Sequence, residues 1–248
     1  ATHIRCGWRM RALVVTILVA VPLAFSGLTP NTNQVKTVLL GTAMPAALLL
    51  WLAAAVPSGR LTWLRNRAVL PLLAFLAINA VSLAWSEYLH ASAAELWRLA
   101  MMSVAFCVGA VAALCDTKLR SVLWTVVATA TVIAAYGILQ RAGLDPFQRE
   151  SIHLQGRSLS TLGHPNFLAS YLVFALPLTA SLSLTAPTTR RACLAGAFCA
   201  IQSSCLVFTF SRAGWIAAAA GAVAFALVTG WPSRFRSGFT RRAATPWA

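Results

Sequence analysis

Residues 192–230 read ACLAGAFCAIQSSCLVFTFSRAGWIAAAAGAVAFALVTG. Two apolar runs, 192–210 and 214–230, meet across Ser211-Arg212-Ala213 with almost no loop between them. Each run is close to the ~20 residues that a helix needs to cross a hydrocarbon core of roughly 30 Å. The apolar residues are continuous rather than alternating, and rich in Ala and Leu. In lipid every backbone polar group must be satisfied internally, so the choice is helix or closed barrel, and this pattern is helical. The stretch predicts two membrane helices with a single arginine at the turn.

Blocks of the same character recur upstream, at 12–28, 36–56, 68–86, 92–114, 119–140 and 166–186. The expected fold is therefore an all-α membrane protein: one polytopic bundle of about eight transmembrane helices in a single transmembrane domain. Composition agrees, with 59% hydrophobic and 10% charged residues and a mean hydropathy of +0.74. Five acidic residues cannot supply the polar skin that a soluble domain of 248 residues requires. Pro22, Pro45, Pro71 and Pro177 fall within or at the edges of these blocks. Membrane helices tolerate proline because neighbours re-satisfy the freed carbonyl, so kinks are expected rather than breaks.

The net charge of +15 raises the question of nucleic acid. A nucleic-acid surface needs its basic residues gathered on one patch among stacking aromatics, whereas here they fall in short clusters between apolar blocks. Arg5, Arg9 and Arg11 precede the first block; Arg60, Arg65 and Arg67 follow the second; Lys118 and Arg120 follow the fourth. Arg190 and Arg191 follow the sixth, and Arg234, Arg236, Arg241 and Arg242 follow the last. If every block crosses, these 14 of the 20 basic residues share one side, which the positive-inside rule makes cytoplasmic, with both termini there. Nucleic acid is not an expected partner; membrane lipids are. Trp51, Trp63, Trp85, Trp97, Trp215 and Trp231 lie near block ends, where an indole favours the headgroup layer.

The opposite, external side keeps Lys36, Arg98, Arg141, Arg149, Arg157 and Arg212, with Glu87, Glu95, Asp145 and Glu150. Arg212 is the leading candidate for chemistry. A guanidinium held beside apolar helices offers a planar fork for phosphate oxygens, and a helix start adds free N–H groups. The second candidate is the helix entry Gly156-Arg157-Ser158-Leu159-Ser160-Thr161-Leu162-Gly163-His164-Pro165-Asn166-Phe167. Pro165 suits the first helical turn, and the polar residues before it can cap that helix. Glu95 and Arg98, three apart, are expected to pair on one helix face. Lys36 opens the second block. Six cysteines show no CxxC or Cys/His spacing and read as small buried hydrophobes; no metal site is expected.

Two segments carry a likeness. Ser160-Thr161-Leu162-Gly163-His164-Pro165-Asn166-Phe167-Leu168-Ala169-Ser170-Tyr171-Leu172 resembles the TLGNPNFLAGYL stretch of the bacterial O-antigen ligase family. Ser211-Arg212-Ala213-Gly214-Trp215 is similar to that family's SRGAW motif. His164 stands for the more usual Asn, and Ala213-Gly214 inverts the usual order, while Pro165, Asn166 and Arg212 match. Pro22-Leu23 followed by Lys36 also fits.

The resemblance implies a glycosyltransferase of the bacterial inner membrane. Such an enzyme moves a glycan from undecaprenyl pyrophosphate to a lipid acceptor such as lipid A core at the periplasmic face, without metal or other cofactor. It implies donor-binding roles for Arg212, Arg157, His164, Asn166 and Lys36. An O-antigen polymerase belongs to the same superfamily. Family members continue into a periplasmic loop bearing a further arginine and a histidine, which nothing after Trp231 supplies. The chain is thus expected to be the N-terminal part of such an enzyme, with catalytic residues beyond it. A membrane transporter and a non-catalytic membrane subunit are the other readings. Transport calls for ionisable residues deep in several helices, and these blocks offer mainly Asn79, Gln202, Ser and Thr.

Overall fold

A computed structural model describes residues 8–25, 32–55, 69–115, 119–145 and 156–230. They form eight α-helices and no strand: α1 (Trp8–Leu23), α2 (Thr32–Ala55), α3 (Val69–Ser82), α4 (Leu89–Cys115), α5 (Leu119–Arg141), α6 (Pro165–Leu184), α7 (Thr189–Phe208) and α8 (Arg212–Thr229). Single 3-10 turns follow α3, at Leu83–Trp85, and precede α6, at Ser160–Leu162. Each helix falls on one of the apolar blocks. The stretches 120–141, 165–184, 189–208 and 212–229, within α5 to α8, are long and apolar enough to cross a membrane. This is an all-helical, membrane-embedded protein. Helices run on through Pro22, Pro45 and Pro177, so none of these prolines breaks its helix. Of the basic clusters, Arg5, Arg60, Arg65, Arg67, Lys118, Arg149 and Arg234 to Arg242 lie outside the described residues, as do Trp63 and Trp231.

The chain divides into two compact units, residues 1–125 and 126–248, the division falling within α5. In the first unit α2 packs against α1 and α4, and α3 against α4. Lys36 on α2 donates to the Pro22 carbonyl at 2.9 Å. That carbonyl is among the last four of α1, which have no intrahelical partner, and the ammonium sits at the negative end of the helix dipole. Arg98 and Glu95 pair on α4 at 2.6 Å, exposed as the i,i+3 spacing leads one to expect.

In the second unit α6 is central. Its buried residues Pro165, Leu168, Ala169, Leu172, Ala175, Thr179 and Leu182 recur at helical spacing and form one stripe. α5 answers with Val127, Ala130, Ile133, Ala134 and Gly137. Small residues set how closely the helices approach, as is usual in membranes. A Cβ on Gly137 would lie 2.9 Å from the Cys205 sulfur, and one on Gly214 only 2.7 Å from the Ala169 Cβ. The start of α8 is thereby pressed against the start of α6.

A closed polar knot ties α5, α6 and α7 together. Gln202, 0% exposed, donates from Nε2 to the Thr131 hydroxyl at 2.9 Å and to the Val127 carbonyl at 3.3 Å. Its Oε1 accepts from the Thr179 hydroxyl at 2.9 Å. In an apolar interior an unpaired amide costs several kcal/mol, on the order of ~2–7. Here both ends of the amide are satisfied by side chains and a carbonyl of neighbouring helices, so its bonding is spent inside the protein.

Candidate functional site

At one end of the second unit, the segment before α6 and the turn between α7 and α8 meet. The segment is plugged inward by its serines. Ser158 Oγ donates to the Gly137 carbonyl at 2.9 Å and Ser160 Oγ to the Ile133 carbonyl at 2.6 Å. The Ser160 N–H donates to Gln140 Oε1 at 2.6 Å. Gln140 Nε2 in turn reaches Asp145 Oδ2 at 3.3 Å, and the Tyr136 hydroxyl donates to Asp145 Oδ1 at 2.9 Å. Ser160 is held at φ 52°, a left-handed backbone uncommon outside glycine. The hydroxyls of Ser158 and Ser160 thus anchor the segment to α5; they do not cap α6. The cap is His164: its Nδ1 accepts the Asn166 N–H at 3.2 Å, with Pro165 in the first turn where no N–H is needed. The His164 ring lies 5.2 Å from that of Phe167.

The turn 209–211 is equally determined. α7 ends with carbonyls that no residue of its own can satisfy. The Thr209 and Phe210 N–H groups and the Thr209 hydroxyl take the Cys205, Leu206 and Val207 carbonyls, and the neighbouring segment supplies donors for the carbonyls that follow. The Ser158 N–H bonds the Phe208 carbonyl at 3.0 Å. Arg157 Nε bonds the Thr209 carbonyl at 2.7 Å, and its Nη2 reaches the Phe210 carbonyl and Asn166 Oδ1, both at 3.3 Å. Trp215 Nε1 donates to the Leu206 carbonyl at 3.2 Å. Phe210, like Ser160, is held at positive φ, 49°. Ser211 then caps α8, its Oγ accepting the Gly214 N–H at 3.3 Å.

Arg212 is the first residue of α8 and is exposed. Among the described residues its guanidinium has no hydrogen-bond or ion-pair partner. A cation at a helix start is disfavoured by the dipole, so α8 gains nothing from it there. Below it, Trp215 lines an apolar cleft of about 670 Å³ between α6, α7 and α8, with Val173, Pro177, Cys199, Leu206 and Phe225. Compared with family models, curated proteins and solved structures, this chain matches none.

Four of the five residues singled out in the sequence, Arg157, His164, Asn166 and Arg212, lie on the two segments that meet here; Lys36 belongs to the first unit. The residues that the sequence did not mark are Thr209 and Phe210, whose carbonyls receive Arg157, and Gly137, Ile133 and Gln140, which hold the serines. Backbone carbonyls leave no signature in a sequence. No three His, Cys, Asp or Glu side chains are gathered among the described residues, and His164 spends Nδ1 on its cap. The arrangement offers an exposed guanidinium and a helix start to an anion, beside an apolar cleft.

Proposed function

We propose that this protein is a lipid-carrier-dependent glycosyltransferase resembling the O-antigen ligases, with Arg212 engaging the pyrophosphate of an undecaprenyl-linked glycan. All eight helices cross the inner membrane in this reading, with both termini cytoplasmic and the Arg212 end periplasmic. The observation that carries it is the Arg212 guanidinium, exposed and without a partner among the described residues, at the start of a membrane helix. Pyrophosphate is the leaving group when the glycan moves to a lipid acceptor. Negative charge grows on its oxygens in the transition state, and a fixed cation there is worth more than one in water. The apolar cleft lined by Trp215 gives the isoprenoid chain a place beside that charge.

The experiment is transfer in proteoliposomes from an undecaprenyl-pyrophosphate-linked glycan to lipid A core, by the product of the complete reading frame. Loss of transfer in Arg212→Ala supports the reading. Transfer at the unsubstituted rate removes Arg212 from the donor site.

A further inference from the structure

Two arginines stand at this end of the second unit, and their surroundings differ. Arg157 turns Nε and Nη2 to three acceptors: the Thr209 carbonyl at 2.7 Å, and the Phe210 carbonyl and Asn166 Oδ1 at 3.3 Å. The two carbonyls are 52 and 53 residues away in the chain. They are consecutive peptide oxygens just beyond α7, where the helix dipole is negative. A guanidinium fork can take both at once; a lysine ammonium, a point donor on a flexible stem, does not match the pair. Behind Arg157 the segment is fixed to α5 through Ser158 and Ser160. The two residues after Phe210 are Ser211, the α8 cap, and Arg212.

We infer that Arg157 is a positioning residue that sets the place of Arg212, and that it does not itself bind the donor. Its bonds hold the turn at Thr209-Phe210, including the left-handed backbone of Phe210. That turn fixes where Ser211 caps α8, and so where the Arg212 side chain leaves the helix. The role of Arg212 as the donor's cation rests on the reading proposed above; the clamp on the turn does not.

The test uses the complete protein in nanodiscs, with Arg157→Gln, Arg157→Lys, Arg212→Gln and the Arg157→Gln/Arg212→Gln pair. Amide hydrogen exchange is followed at residues 210–215, and transfer is measured over a range of undecaprenyl-pyrophosphate-linked glycan. Losing charge-assisted bonds to the turn should speed exchange there about tenfold or more in Arg157→Gln, leaving the middle of α6 unchanged. Arg157→Lys should recover part of that protection. In transfer, Arg157→Gln should lower kcat more than it raises the KM for the donor, and the pair should be no worse than Arg212→Gln alone. Should Arg157→Gln fail to fold, Asn166→Ala removes one of the three acceptors, and a smaller rise in exchange over 210–215 is expected.

Unchanged exchange in Arg157→Gln, or in Asn166→Ala where that variant is used, overturns the clamp whatever transfer shows. Faster exchange with multiplying losses in the pair overturns it too, since Arg157 would then touch the donor independently. If the unsubstituted protein transfers nothing, the proposed function fails and the exchange result alone decides the clamp.

Discussion

The second unit holds two polar regions that solve opposite problems. Inside the helices, Gln202, Thr131 and Thr179 bond one another and the Val127 carbonyl, and the set is closed. At the end where α8 begins, donors and acceptors also interlock, yet among the described residues the Arg212 guanidinium is left over. Arg157 is spent on carbonyls of the α7–α8 turn, and Arg212 is not. A closed network has nothing left to offer a ligand, so its worth is in holding helices together. An open one keeps a charge for something outside the protein. Polarity in an apolar chain therefore identifies a site only after its partners are counted.

Arg212→Ala tests the open end most sharply. Transfer should fall on the order of 10²–10³-fold, as when a fixed donor to a developing charge is lost. The unfolding midpoint in nanodiscs should not move, because the exposed guanidinium has no partner among the described residues. A large loss of stability would put Arg212 with the structural arginines and erase the contrast. Gly214→Val acts on the scaffold that presents it. Its Cβ would meet the Ala169 Cβ at 2.7 Å, so backbone has to move, at about 1–3 kcal/mol. Thermal unfolding should show that cost, with transfer falling alongside.

Gln202→Leu probes the closed region. Thr131 and Thr179 keep bonds to carbonyls of their own helices, Val127 and Ala175, so neither hydroxyl is orphaned. A loss of about 1 kcal/mol in unfolding is expected, with the KM for the donor unchanged. A raised KM would show that the interior network reaches the outer end. The smallest effect belongs to Glu95→Gln on α4. Its pair with Arg98 is exposed, 62% and 48%, and worth ~0.5 kcal/mol or less, so stability and transfer should both stay where they are.

The helices were legible in the sequence nearly to their ends. The run 192–210 is helix over Thr189–Phe208, and 166–186 over Pro165–Leu184. The difference that bears on the site is at Arg212. A hydropathy reading stops at the charge and starts the last helix at 214, yet α8 starts at Arg212 itself. Ser211 supplies the cap, and a polar residue in the first turn still faces outward. The serines of the segment before α6 hold a second feature of space rather than of pattern. Of the polar residues before Pro165 it is His164 that caps α6, while the two serines find acceptors 21 and 27 residues back, on α5. Nothing local marks a serine that reaches that far.

By itself the sequence determined that this chain folds into apolar helices and that few charges stand away from its basic clusters. Both follow from local rules, the length and continuity of apolar runs and the cost of a charge in hydrocarbon. Only the tertiary structure decided which of two arginines is tied to the turn and which has no partner among the described residues. The partners of Arg157 are backbone oxygens more than 50 residues away, brought close by packing around α6. A carbonyl is present at every residue, so which one a guanidinium reaches is a matter of space rather than of pattern.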